Sequence, residues 1–444
     1  MLRIPATVRA GAFVCLVLAS GLALWTAFHR TTAEPPEATD EEDLRTIIDQ
    51  ATRGQGIWAV ARDAPPAEPD VVARLRALGY VGAVRPAPPA ANVTVYDETR
   101  TTPGLNLYVD GHAQEATLID MRGTRLHRWS FDYARLPVMK RFPKGDLHQA
   151  YFRRAYLYPS GDLLALYDSL ALIKLDKDSN LRWAYRQRPH HDLFVTNVGE
   201  IYTLTQTRRF VPGVSMRQRV VDNAIVRLDP NGQERDKVSV LEALARGGHG
   251  GLLAEALGIM DEAKGDVLHL NSIEVLDGRL ANRIPAFRKG NVLVSCLTLH
   301  RLMVVDMQAH AVVWTMRGNF RFQHDAKVLP NGNLLVFDNH CGADKRSAVL
   351  ELDPVTGEEV WAYRGTPEHP FYSHCCGRAY RLANGNTLIV ETEGGRAFSV
   401  TREGEIVWEF VTPNRSGPND RLIAQLFDLT RIPLGAVPWL GRLP

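Results

Sequence analysis

Four histidines stand at one recurring place in this chain. They are His191 in HHDLF, His269 in LHLNS, His324 in QHDAK and His374 in SHCCG, each just ahead of a strand that ends in a glycine turn. A neutral imidazole is a nucleophile near pH 7, and an imidazolium is an acid. Arg346, after the FDN turn, and Arg378, after the double cysteine, can add positive charge beside them. The arginine fork suits a tetrahedral oxyanion. Asn271 in LHLNS and Tyr372 in FYSHC complete the polar and aromatic candidates. The sequence carries no G-x-S-x-G elbow, no G-x-x-x-x-G-K-[ST] loop and no H-E-x-x-H. The residues alone leave two chemistries open: transfer of an anionic group through histidine, or three histidines on zinc with an open position.

The elements that must position these side chains repeat. A glycine-turn strand occurs as YPSGDLLALYD, TNVGEIYTLTQ, FRKGNVLVSCL, LPNGNLLVFDN and LANGNTLIVET. A second half, of the type SAVLELDPVTGEEVW, occurs six times. Period-two apolar alternation broken by Asn-Gly and Thr-Gly turns predicts β-meanders. Trp314, Trp361 and Trp408 are spaced 47 residues apart at both steps. Repeats of roughly 40–50 residues with four strands each predict an all-β, six-bladed β-propeller, with the tryptophans as anchors between blades. The innermost strands line the channel, so equivalent positions converge on the axis. The blades are expected at Gly104–Phe131, Tyr151–Tyr185, Arg188–Val240, Asp266–Trp314, Phe322–Trp361 and Tyr372–Trp408. Val240 to Lys264 breaks the pattern and reads as a helical insertion over one mouth.

Outside the repeats the chain changes character. Gly11 to Phe28 is an uncharged run preceded by Arg3 and Arg9. It is just long enough to cross a bilayer, and the positive-inside rule puts the remainder outside the cytoplasm. Residues 1–30 are therefore expected to be a signal anchor holding the propeller in the periplasm of a bacterial inner membrane. Residues 31–100, rich in Pro, Ala, Glu and Asp, read as a tether with short helices at Glu41–Ala51 and Pro69–Leu78. The propeller spans 101–415, and 416–444 read as an apolar tail packed on its outside. A net charge of +2 without a basic block gives no nucleic-acid signature. Cys296, Cys341, Cys375 and Cys376 fall in the exported part, where a Cys341–Cys375 bridge is conceivable.

The segments GLNLYVDGHAQEATLIDMRGTRLHRWSF, HHDLFVTNVGEIYTL, DVLHLNSIEVL, QHDAKVLPNGNLLVFDN and RLANGNTLIVETEGGRAFSVTREGEIVWEF together resemble the arylsulfotransferase family of bacterial propellers, over about Gly104 to Pro413. The resemblance implies six blades and transfer of a sulfuryl group from a phenolic sulfate ester to a phenol. It implies a ping-pong course through a sulfohistidine, with neither nucleotide donor nor other cofactor. Matched residue by residue, His269, His324 and Arg346 correspond to the family's channel histidines and arginine, and His374 to its nucleophile. His191, Asn271, Arg378 and Tyr372 would then contact substrate. ELDPVTGEEVWAYRG also resembles the repeat of quinoprotein and outer-membrane-assembly propellers, which makes a cofactor-binding or scaffolding propeller the alternative.

Overall fold

Five of the glycine turns take the same form. Gly161, Gly199, Gly290, Gly332 and Gly385 close the inner hairpins of successive blades with φ between 85° and 89°, a region that residues with a Cβ avoid. The computed structural model describes residues 85–136, 151–260, 263, 265–340, 345–416 and 421–441. These show six antiparallel meanders arranged as a propeller. The expected anchor at Gly11–Phe28 and the expected helices at Glu41–Ala51 and Pro69–Leu78 lie outside the described residues. Among the described residues no helix is long and apolar enough to cross a membrane.

Blades two to six have their innermost strands at Phe152–Leu157, Pro189–Val195, Leu270–Val275, His324–Val328 and Arg378–Arg381. Blade one is built differently. Its three outer strands, Leu105–Asp110, Glu115–Ile119 and Arg125–Ser130, come from the start of the repeat region. Its innermost strand is Leu426–Ile432, which pairs antiparallel with Leu105–Asp110 in the register Leu105↔Ile432. The C-terminal stretch is therefore not an external tail. It closes the ring and lines the channel, and the sheet hydrogen bonds of its backbone are satisfied across the junction of the two chain ends. The tether also ends earlier than expected, because Asn92–Tyr96 adds a fifth strand to the outer edge of blade six.

The tryptophans tie blades together. Trp129 donates to the Gly161 carbonyl, Trp183 to Pro230, Trp361 to Arg402 and Trp408 to Met121. Each bond runs from the fourth strand of a blade's meander to a turn of the neighbouring blade. Trp129 and Trp408 are fully buried, so their N–H groups need these acceptors. Trp314 packs edge-on against Phe287.

The insertion is helical, as the sequence predicts, but not over the channel. Helix α1, Val240–Arg246, is capped by Ser239, whose hydroxyl accepts from the Glu242 N–H; helix α2 is Gly250–Gly258. Leu241, Leu244 and Ala256 enter a core shared with Val211 and Val220 of blade three and Val292, Met303 and Val312 of blade four. Gly247 comes so close to blade four that a Cβ there would stand 2.1 Å from the Val312 carbonyl oxygen. The insertion thus wedges between two blades. Its apolar residues find a ready-made crevice there, which a position over an open mouth would not offer.

Candidate functional site

The inner strands are not regular. In blades one to five each slips register at one point: around Phe427, Arg153, His191–Asp192, Asn271 and Asp325–Ala326. A β-bulge re-aims side chains that regular alternation would send elsewhere. Blade six reaches the same level through Cys376, at φ 60°, and Gly377, at φ 117°. Gly377 is required there, since any Cβ would run 2.3 Å from the Phe337 ring. These re-aimed residues surround a cavity of ≈ 20 Å³, lined by Arg153, Arg154, His191, Asn271, His324, Asp325, Cys376, Gly377, Arg378 and Phe427. That is room for about one water molecule.

The cavity has a charged floor. Arg154 reaches Asp192 at 2.9 Å and Asp428 at 2.9 Å, and Arg378 reaches Asp192 at 3.0 Å and Asp325 at 2.7 Å. Lys327 also contacts Asp325. Backbone N–H groups of Ile273 and Ala379 and the Tyr380 hydroxyl donate to the remaining carboxylate oxygens. Three cations and three carboxylates compensate one another, as buried charges must.

The opposite side is a cluster of imidazoles. His191 stacks edge-on against His190 at 5.0 Å and against His269 at 4.9 Å between ring centroids. The Nδ1 atoms of His190 and His191 lie 2.8 Å apart, so one of them donates and the other accepts. His269 places Nδ1 2.6 Å from Asp266 Oδ2. Burial opposes ionisation of Asp266, yet the His269 charge and hydrogen bonds hold its carboxyl below the usual range. His324 has the best-defined ring. Asn339 Nδ2 donates to the carbonyls of Ser373 at 2.8 Å and Cys376 at 2.6 Å. Its Oδ1 is thereby turned to His324 Nδ1 at 2.7 Å, with the Phe322 carbonyl 3.1 Å away. Both partners are acceptors, so Nδ1 carries the proton and Nε2 is the basic nitrogen. Burial keeps three of these rings neutral: His190 is held down to about 4 against the pull of Asp168 and Asp266, His324 to about 3 against its Asn339 hydrogen bond, and His191, where the Arg153 charge adds to burial, well below its usual value.

Arg153 brings a cation to this side. Arg153 Nη2 is 3.2 Å from the Cys376 sulfur, and Nη1 is 3.6 Å from Asp168. Its guanidinium lies 5.4 Å from the centre of the Phe427 ring, which itself stacks on Tyr151 at 4.5 Å. Asn271 donates to the Gln323 carbonyl, and its buried Oδ1 has no hydrogen-bond partner among the described residues. Among the described residues no group of three or more His, Cys, Asp or Glu side chains has the geometry to hold a metal ion.

Of the residues singled out from sequence, His191, Asn271, His324 and Arg378 line the cavity, and His269 stacks on His191. Arg378 belongs to the ion network, its guanidinium already taken by carboxylates. His374 and Tyr372 do not line the cavity; the Tyr372 hydroxyl lies 3.0 Å from His374 Nδ1. The chain advances from His374 to the bulge level by two residues, so Cys376 arrives where a histidine was expected. Arg346 is exposed on the loop before its strand and stands apart from the cavity. Arg153 holds the position expected of an arginine. Sequence reading missed it, along with His190, Asp266 and Asn339. The pair Arg153-Arg154 sits at the same strand position as His191-Asp192, and aligning the glycine turns would have revealed it. Cys375 is a free thiol, and Cys341 lies outside the described residues.

The family model described as Arylsulfotransferase (ASST) matches residues 168–413, more than half of the chain. No curated protein matches. Solved structures resemble it at low identity. A Bacteroides caccae protein of unknown function has a TM-score of 0.47 and 12% identity, covering 74% of this chain and 99% of its own. A streptogramin B lyase has 0.42 and 11%, with 79% and 96% covered. The virginiamycin B lyase of Staphylococcus aureus has 0.35 and 10%, with 59% and 69% covered.

Proposed function

The chain belongs to the arylsulfotransferase family, and on that premise we propose that it moves a sulfuryl group from an aryl sulfate ester to a phenol through a sulfohistidine on His324. The observation that carries this reading is the Asn339 relay, which protonates Nδ1 and leaves Nε2 basic in a ring that burial keeps neutral. In the first step the His324 Nε2 lone pair attacks sulfur. The N–S bond forms as the S–O bond to the aryl group breaks. Arg153 faces the sulfuryl oxygens. His269, oriented by Asp266, gives a proton to the departing phenolate oxygen. In the second step His269 takes the proton of an acceptor phenol, whose oxygen attacks sulfur and releases His324. Neither step calls on a nucleotide or other cofactor. The floor network holds Arg378 away from this chemistry and fixes the bulges that aim the reacting groups.

This reading replaces His374 by His324 as the nucleophile and Arg346 by Arg153 as the oxyanion partner. The uncharged run Gly11–Phe28 supports an inner-membrane tether with the propeller in the periplasm. The test is turnover of 4-nitrophenyl sulfate with and without added phenol. Parallel double-reciprocal lines are expected, and quenched donor-only reactions should carry the extra mass of SO₃ on the peptide containing His324. Absence of nitrophenol release by the full chain would leave a scaffolding propeller as the better account.

A further inference from the structure

The mechanism leaves unused two cysteines that stand side by side at the cavity. Cys376 lines it, with Arg153 Nη2 3.2 Å from the sulfur. Cys375 lies behind, its thiol 3.6 Å from Glu393 Oε1. The two thiols are also hydrogen-bonded to each other. That bond and the Arg153 guanidinium outweigh burial and hold the Cys376 thiol down to about 6, so the same bond keeps Cys375 protonated. The loop carrying both is braced rather than loose. Glu393 accepts from the His374 N–H at 2.9 Å, Asn339 donates to the Cys376 carbonyl at 2.6 Å, and Ser373 donates to the Cys375 carbonyl at 2.7 Å.

We propose that Cys375 and Cys376 form an oxidisable pair, attacked by small hydroperoxides, whose closure to a vicinal disulfide releases Arg153 to bind the anionic donor. The chemistry is that of a thiolate with a resolving thiol beside it. The Cys376 thiolate attacks the terminal oxygen of the hydroperoxide. An S–O bond forms, the O–O bond breaks, and the alkoxide leaves as the alcohol after taking a proton. Sulfur has lost two electrons to the peroxide. Cys375 then attacks the sulfenic sulfur; the S–S bond forms, the S–O bond breaks, and the hydroxyl leaves as water with the Cys375 proton. The product carries no thiolate. Arg153, which had shared its charge between Cys376 and Asp168, keeps only the carboxylate, 3.6 Å away. A sulfate ester no longer competes with a negative sulfur for the guanidinium.

This consequence rests on the sulfuryl-transfer reading; the thiol chemistry does not. The full chain is reduced or treated with hydrogen peroxide, alkylated, and digested without reductant. The peptide spanning Cys375 and Cys376 should be two hydrogens lighter and unalkylated after peroxide. In Cys375→Ser, dimedone should label Cys376. Two thiols still alkylated after peroxide, a bridge from either to Cys341, or no dimedone label would overturn the proposal. The second reading is binding of inorganic sulfate by calorimetry, expected to be about tenfold tighter in the oxidised form, as for a freed charge-assisted contact. A disulfide without that gain refutes the link to Arg153. A disulfide with the gain, in a protein that never turns over 4-nitrophenyl sulfate, upholds the pair and its link while removing the transferase reading.

Discussion

The floor and the roof of the cavity are built from neighbouring residues yet behave as opposites. Arg154, Asp192, Asp325, Arg378 and Asp428 make the floor, and each of Arg153, His191, His324, Gly377 and Phe427 is the residue just before one of them. On the floor every charge meets its counter-charge across blades, so the network ties blades one, two, three, five and six around the axis. On the other side burial keeps His190, His191 and His324 uncharged, an amide oxygen lacks a partner among the described residues, and Arg153 divides itself between the Cys376 sulfur and a distant carboxylate. Fully compensated groups hold structure, whereas groups held neutral or incompletely satisfied are available to a ligand. A one-residue step along a bulged strand separates the two roles.

The comparison breaks most visibly at His324. His324→Ala should lower nitrophenyl sulfate turnover by roughly 10³-fold or more, as for loss of a nucleophile. Its melting temperature should move little, and the sulfuryl-peptide should vanish. Unchanged turnover would move the nucleophile elsewhere, with His374→Ala as the paired control, expected within about threefold of the parent by the same arithmetic. On the floor the effect should fall on stability instead. Arg378→Ala leaves three buried carboxylates to two cations, with Asp192 held by Arg154 and Asp325 chiefly by Lys327, and should cost about 3–5 kcal/mol in urea unfolding. A smaller loss would mean that the floor is not a structural staple.

His269→Ala or Asp266→Asn should slow turnover by about 10²–10⁴-fold, the range of a general acid, with the larger loss for poor phenol leaving groups. An equal loss for all leaving groups would make His269 a binding residue. The roof should also respond to pH. His190 and His324 have folded values of about 4 and about 3, against 6.5 for an unperturbed ring. The folded state therefore binds fewer protons than the unfolded one below 6.5. Their contribution to stability is full above 6.5 and is lost as pH falls toward 4 and then 3. Unfolding titrations at pH 7 and 4.5 should show this slope, flattened in His324→Gln. The smallest effect is reserved for Arg346→Ala. An exposed side chain away from the cavity should change turnover by less than about twofold and stability by under about 0.5 kcal/mol.

The blades were readable because their cause is local. A glycine at positive φ and two or three alternating apolar residues on each side suffice for a hairpin, and six such units can bury their faces only by stacking. The site was half readable. His191, His269 and His324 stood out by repetition. Arg153 did not, because an arginine among Arg153 and Arg154 looks like any surface pair until the register slip at that strand is known. His374 misled for the converse reason: its place in the count was right, but Cys376 and Gly377 carry the chain two residues further before it reaches the cavity. Arg346 was drawn in by its neighbourhood in sequence, but the loop ahead of its strand leaves it exposed.

Composition and periodicity were sufficient for the architecture, the order of blades two to six, the tryptophan positions and the presence of a helical insertion, since each is set within a repeat or its neighbour along the chain. Three things were decided only when the chain closed on itself. Leu426–Ile432 became the inner strand of blade one through pairing with residues more than three hundred positions earlier. The insertion found its crevice between two blades. The bulges sorted adjacent residues into a paired floor and a reactive roof. Register and closure are set by packing across the whole ring, and no local window of the sequence contains the partners that fix them.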